Sequence, residues 1–257
     1  ASVLLVQAML FFDGGLLALG CNIFNMGFFP CFVAYPLIFR PLAGNSRSGA
    51  RFWTASVVAS VAGLVAGALF VVFETLFSGI SELPFKGFAA LMLPIHFAIG
   101  IVEGLITGGV VALVSGIEHN SSMGEAVTPP SKLKAPVVLG VLSIIVAGFL
   151  SWFASAHPDG LEWAIGKTTH EAELTGKESR AHEVAASLQE KTSLLPDYDL
   201  KQDEAEGNEE SDDTEGGSVV SAGTSLAGLV GGSVTLLVAG GLGLVLRRRQ
   251  VVRRDET

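Results

Sequence analysis

The sequence predicts an all-α fold, a polytopic transmembrane helical bundle of about six spans with one long acidic extracytoplasmic loop. Three observations predict it. The 257 residues are 49% hydrophobic and only 16% charged, with a mean hydropathy of +0.53, outside the usual range of soluble domains. The apolar residues gather into blocks of roughly 20 residues, the length a helix needs to cross a ~30 Å hydrocarbon core. Inside those blocks the amphipathic period is weak, as expected where lipid replaces water on the outer face.

The spans follow in order. A short apolar run from Ser2 to Phe12 is broken by Asp13-Gly14-Gly15, and the second span runs from Leu16 to Phe39, ending before Arg40-Pro41. The third covers Phe52 to Phe77 and the fourth Phe88 to Ile117. The fifth extends from Ala135 to Ala154, and the sixth from Val219 to Leu246, where Arg247-Arg248-Arg249 stops it. Ala1 already lies in an apolar run, with no initiator Met or charged n-region, so a further N-terminal part is expected upstream.

Lys and Arg in the short loops set the orientation in the cell membrane. With the C-terminus cytoplasmic, the inside segments carry three at 40–51, two at 119–134 and five in the tail (Arg247, Arg248, Arg249, Arg253, Arg254). The short outside segments carry none at 13–15 and one at 78–87. The net charge of −9 is local. Residues 155–218, placed outside, hold 17 Asp and Glu against five basic residues, for −12, and the rest of the chain sums to +3. An acidic external loop implies no nucleic-acid partner. Its run from Asp197 to Glu215 is expected to be solvated, whereas His170 to Leu195 favours helix.

Polar residues inside spans are costly in hydrocarbon and must face protein, water or a partner. Gln7, Asp13, Asn22, Asn25, Glu74, His96 and Glu103 form that set. Asn22 and Asn25 share a helix face, as do His96 and Glu103, seven residues apart. Two readings stand: a polar pathway or metal contact, and buried groups that pin helix packing. Cys21 and Cys31 are about 15 Å apart along one helix, too far for a disulfide, and are expected to be buried packing residues. Gly63 and Gly67, and Gly100, Gly104 and Gly108, repeat at four-residue spacing, which lets helix backbones approach closely.

Catalysis finds little support. His96 and Glu103 lack the H-E-x-x-H spacing of a zinc protease. Gly166-Lys167-Thr168 resembles the end of a phosphate loop, but Leu161 stands where its first glycine belongs. Active transport would therefore need a separate ATPase.

The stretch from Gln7 to Gly27, with Gln7-Ala8-Met9-Leu10-Phe11-Phe12-Asp13-Gly14-Gly15 and Asn22-Ile23-Phe24-Asn25-Met26, resembles the signature of the CbiM/NikM family. These are substrate-specific membrane components of energy-coupling-factor (ECF) transporters for cobalt and nickel. His96-Phe97-Ala98-Ile99-Gly100-Ile101-Val102-Glu103-Gly104-Leu105-Ile106-Thr107 resembles a second block of that family. Further on, His157-Pro158-Asp159-Gly160-Leu161-Glu162-Trp163, Pro196-Asp197-Tyr198 and the stretch from Gly223 to Gly231 are similar to the two-span module named for P-D-G-L-E. The resemblances divide the chain into a CbiM/NikM-like core at 1–118, a cytoplasmic linker at 119–133 and a PDGLE-like module at 134–257.

The resemblance implies a non-enzymatic transporter subunit, with Ni(II) or Co(II) as cargo and no covalently bound cofactor. Its implied partners are an ECF-type coupling membrane protein and ATPase subunits. The family holds its metal through an amino-terminal amine and a His in a Met-His-Ile-Pro-Asp-Gly start, with a second His from an upstream loop. Such a planar nitrogen set suits Ni(II) and Co(II). Those ligands are expected upstream of Ala1, and His157-Pro158-Asp159-Gly160 does not replace them. Asn22, Asn25, His96 and Glu103 are then expected to line or brace the cavity beneath that site. For the acidic loop, cation capture by His157, His170, His182 and carboxylates stands against a solvated spacer. A membrane-anchored sensor or scaffold is the alternative to transport, and an intramembrane enzyme a distant third.

Overall fold

A computed structural model describes residues 1–46, 48–79, 83–123, 134–153, 157–169, 180–198 and 222–255. Among them every regular element is helical. α1 is Ser2–Leu10. α2, Leu19–Ile23, runs on through a π-type helix, Phe24–Phe39, into α3, Arg40–Ala43. α4 is Gly49–Ser78, α5 Phe85–Met123 and α6 Lys134–Gly148, which passes into a 3₁₀ turn at Leu150–Phe153. α7 is Gly160–Thr169, α8 Arg180–Thr192, followed by a 3₁₀ turn at Pro196–Tyr198, and α9 is Ala222–Asp255.

Among the described residues, four stretches are long and apolar enough to cross a membrane: Leu19–Ala43, Gly49–Ser78, Phe85–Gly116 and Gly223–Val245. The expectation of six is corrected on this point. α1 has nine residues, about 14 Å at 1.5 Å per residue, because Asp13-Gly14-Gly15 follows it with left-handed φ at both glycines. α6 has 15 residues, and its apolar part, Val137–Gly148, is shorter still.

The chain forms two compact units. The first comprises residues 20–138 and 157–179. Its axis is the α4–α5 pair, brought together by glycine: a Cβ at Gly100 would lie 2.7 Å from Val61 Cα, and one at Gly104 2.6 Å from Val57 Cα. Gly108 faces the Trp53 ring. The four-residue glycine period is therefore a close-packing stripe. On its other side, α4 meets the π-type helix at Gly63 and Gly67, opposite Pro30 and Asn25. α7 closes the unit by adding Ala164, fully buried, to a core of Ala68, Val72, Phe88 and Met92.

The second unit comprises residues 1–19, 139–156 and 180–257. Val6 and Phe11 from α1 form its core with Leu195 and Ala227. Gly231 leaves room for the Phe11 ring, which a Cβ would approach to 2.7 Å. Gly228 lets α9 meet Ala147, and Ser225 Oγ donates to Gly148 O at 3.0 Å.

One further expectation changes. Cys21 and Cys31 are free, as expected, but exposed rather than buried. An apolar side chain in a membrane span can face lipid, so its polarity does not place it inside the protein. α8 falls within the stretch expected to be helical. Nearly all of the acidic run from Asp197 to Glu215 lies outside the described residues, as does His170.

Candidate functional site

The P-D-G-L-E sequence is a helix start. Asp159 Oδ1 accepts from the backbone N–H of Leu161 and of Glu162, both at 2.8 Å, and Glu162 Oε2 reaches back to the Asp159 N–H at 3.4 Å. This reciprocal pair is a capping box: two carboxylates satisfy amides that the first turn of α7 leaves without partners and complement its dipole. Pro158 precedes the cap, and Leu161 packs onto the core from the second helical position. Gly160 has a different task. A Cβ there would lie 3.2 Å from Ile99 Cδ1 and 3.3 Å from His96 Cε1, so the absence of a side chain lets α7 dock on α5 at the histidine ring.

His96 is half-buried, and its Nδ1 lies 2.8 Å from Met92 O. A carbonyl can only accept, so Nδ1 carries the hydrogen and the neutral ring keeps its lone pair on Nε2. Glu103 is exposed farther along α5, and among the described residues no bond joins it to His96. Asn22 is half-buried. Asn25 is 4% exposed and donates from Nδ2 to Glu74 Oε2 at 2.8 Å, while its Oδ1 is buried without a partner. Among the described residues, no three of His, Cys, Asp and Glu cluster in a way that could hold a metal ion. A cleft of about 320 Å³ in the same unit, lined by Phe39, Ala43 to Ser46, Phe52, Val111 and Ser115, contains none of the four predicted cavity residues. His157 is exposed at the bend before α7, and Gly166-Lys167-Thr168 forms the end of that helix rather than a loop.

In the other unit, Gln7, Asp13 and Tyr198 form a triad. Gln7 Nε2 donates to Asp13 Oδ2 at 3.2 Å and to Tyr198 Oη at 3.1 Å, and the Tyr198 hydroxyl donates to Asp13 Oδ2. The Tyr198 ring stacks on Phe11, centroids 4.7 Å apart. Half-burial and the bond to Asp13 push the Tyr198 hydroxyl up to about 12. Gln189, 4% exposed, donates to Ala8 O at 3.1 Å and accepts from the Leu16 N–H at 3.2 Å, while the Leu195 N–H donates to Leu10 O at 3.1 Å. Residues from α8 and beyond thus cap carbonyls that the last turn of α1 leaves open. Sequence reasoning singled out Gln7, Asp13 and Pro196-Asp197-Tyr198 separately, but nothing in the sequence joins them. Gln189, one polar residue among many on α8, gives no signal of its own.

Residues 1–121 match the family described as the cobalt uptake substrate-specific transmembrane region, CbiM, and residues 134–248 match the PDGLE domain. A putative fused nickel transport protein, NikMN, of Archaeoglobus fulgidus is 30% identical over 96% of this chain and 70% of its own length. The chain belongs to the CbiM/NikM family, fused to a PDGLE domain. It is similar also to a putative metal transport protein of Haloquadratum walsbyi, at 32% identity over 44% of this chain and 50% of that protein. The cobalt transport protein CbiM of Sorangium cellulosum is 33% identical over 43% of this chain and 49% of its own length. No solved structure matches the chain significantly.

The compact units do not follow the two family regions. Gln7, Phe11 and Asp13 of the CbiM region bond to or stack on Tyr198 of the PDGLE region, and His96 of the CbiM region touches Gly160 of the P-D-G-L-E motif. Each unit is built from both regions.

Proposed function

We propose that this chain is the substrate-handling membrane component of an ATP-driven uptake system for Ni(II) or Co(II). The observation that carries the reading is the alignment of a fused nickel transport protein with nearly the whole chain, through both regions. Energy comes from partner ATPases acting through an ECF-type coupling membrane protein; the chain supplies selectivity and the membrane path. Asn22, Asn25, His96 and Glu103 line or brace that path. The Nε2 lone pair of His96, fixed by the bond from Nδ1, suits a metal-facing role. The PDGLE region steadies the CbiM region by capping α1 and docking α7 on α5, without binding metal at His157.

The C-terminus is cytoplasmic and residues 155–218 are outside, as the arginine-rich tail favours. The alternation of sides then requires a crossing between residues 134 and 153. α6 with its 3₁₀ turn provides it: the Phe149 N–H bonds back to Ile145 O, so the helical path continues beyond Gly148.

The test is ⁶³Ni or ⁵⁷Co uptake by cells producing the protein with its partners, at matched membrane abundance. His96→Ala is expected to lower uptake severalfold and Glu103→Gln to lower it less; unchanged uptake in both removes these residues from the path. Copurification of a coupling membrane protein and an ATPase pair is expected, and their absence favours a scaffold.

A further inference from the structure

α8 is packed inside out. Its two large apolar residues, Val184 and Leu188, are 61% and 49% exposed, whereas the polar Gln189 is 4% exposed. The residues after the helix continue the inversion: Ser193 is buried and Leu194 is 64% exposed. A helix that meets water turns its apolar face inward; one that meets lipid has no such need.

The packing of α8 sets its outer side near a membrane boundary. Leu195, three residues beyond the helix, shares a core with Ala227 of α9. Ala227 is four residues into the Gly223–Val245 stretch, about 6 Å below its start at 1.5 Å per residue. The bonds from Gln189 to Ala8 O and from the Leu195 N–H to Leu10 O hold this end of α8 on α1. On α9, Leu226 and Leu229 flank the same level and are exposed, as the lipid-facing side of a span is.

The charges are sorted around the helix. At roughly 100° per residue, Arg180 and Lys191 fall within about 40° of Val184, and Leu188 lies about 40° to its other side. Glu183 and Glu190 stand about 100° and about 120° away. All four charged residues are exposed. Cations therefore border the apolar face, where their aliphatic stems can lie along lipid and lift the charged heads to the surface, while the carboxylates point elsewhere.

We propose that α8 is an interfacial helix: Val184, Leu188 and Leu194 rest in the boundary layer of the bilayer, and Arg180 and Lys191 meet anionic lipid headgroups. The bilayer then holds Gln189 and Leu195 in place on α1. The proposal rests on α9 crossing the membrane and not on the transport reading.

The experiment places an environment-sensitive fluorophore on single cysteines of the full chain. Cys21→Ser and Cys31→Ser remove the two native thiols, and Leu188→Cys, Val184→Cys and Glu183→Cys then report one position each. The labelled proteins are reconstituted into vesicles of phosphatidylcholine and phosphatidylglycerol. Quenching by a lipid carrying a nitroxide high on its acyl chain is compared with quenching by aqueous iodide. Probes at 184 and 188 are expected to be quenched by the nitroxide lipid about twofold or more than the probe at 183, and by iodide less. Replacing phosphatidylglycerol with phosphatidylcholine is expected to weaken lipid quenching at 188, and Arg180→Gln with Lys191→Gln to abolish that difference. Iodide quenching at 184 and 188 equal to that at 183 would mean a face open to water and overturns the proposal. Probes at 184 and 188 shielded from both quenchers would mean a face covered by protein, which overturns it as well. Lipid quenching indifferent to phosphatidylglycerol overturns the headgroup contact.

Discussion

The Tyr198 hydroxyl donates its hydrogen to Asp13 Oδ2 across 185 residues of sequence. Each partner lies at or beside an unusual backbone position. Phe12, just before Asp13, and Tyr198 itself are the non-glycine residues with left-handed φ, at 62° and 61°, among those described. Such conformations cost of order 1–3 kcal/mol each unless surrounding contacts hold them. The triad and the Phe11–Tyr198 stack are those contacts. Tyr198→Phe, which keeps the stack and removes the hydroxyl, is expected to lower stability by about 1 kcal/mol. Thermal unfolding in detergent checks this, and an unchanged midpoint would mean that the hydroxyl holds nothing.

The same bond has a pH signature. Half-burial first, then the bond to Asp13, raises the Tyr198 hydroxyl from its ordinary 10.0 to about 12. A raised value means that the folded protein favours the neutral phenol. Its contribution is therefore complete below about pH 10 and is lost as pH climbs through about 12. The chain has two tyrosines, so Tyr35→Phe isolates Tyr198 for tyrosinate absorbance. Half-titration near 10 in the folded protein would contradict the contact.

Gln189 tests the capping of α1. Gln189→Leu keeps the volume but strands Ala8 O and the Leu16 N–H, at an expected cost of about 1–3 kcal/mol. Hydrogen exchange at α1 is expected to rise more than at α5, because only α1 loses a cap.

The glycine stripe offers a paired comparison on one helix. Gly104→Ala places a Cβ 2.6 Å from Val57 Cα, a backbone atom that cannot swing aside, and is expected to cost about 1–3 kcal/mol. Gly116→Ala meets nothing within 4 Å and is expected to be neutral or to stabilise by up to about 1 kcal/mol. Equal unfolding midpoints for the two variants would refute close α4–α5 packing.

In the P-D-G-L-E turn, the cap and the docking glycine separate. Asp159→Ala removes two hydrogen bonds at the start of α7 and is expected to cost about 1 kcal/mol. Gly160→Val leaves the cap but pushes a branched side chain into Ile99 and His96. It is expected to increase proteolysis of residues 157–169 and to alter uptake through His96, whereas Asp159→Ala affects proteolysis alone. Identical behaviour of both variants would deny Gly160 its separate role.

Much of this was legible in the chain itself. Blocks of apolar residues interrupted by Arg, Pro and Gly fix helices because lipid leaves backbone groups no partner except each other, and the glycine period fixes which faces meet. Span length was less legible for α1 and α6. Apolarity continues past the point where Gly14 and Gly15, or the 3₁₀ turn at Leu150–Phe153, end the α-helix, and composition does not register that change.

Family membership and the identity of the P-D-G-L-E, Gln7–Asp13 and His96 motifs are written in contiguous sequence, where spacing and residue type are one-dimensional facts. Their pairing is not. That Tyr198 answers Asp13, that Gly160 makes room for His96, and that Asn25 sets its amide against Glu74 and leaves Oδ1 unpaired follow from how helices far apart in sequence pack. A polar side chain in a membrane protein advertises that it needs a partner, because hydrocarbon offers none; only the tertiary structure chooses which partner it finds.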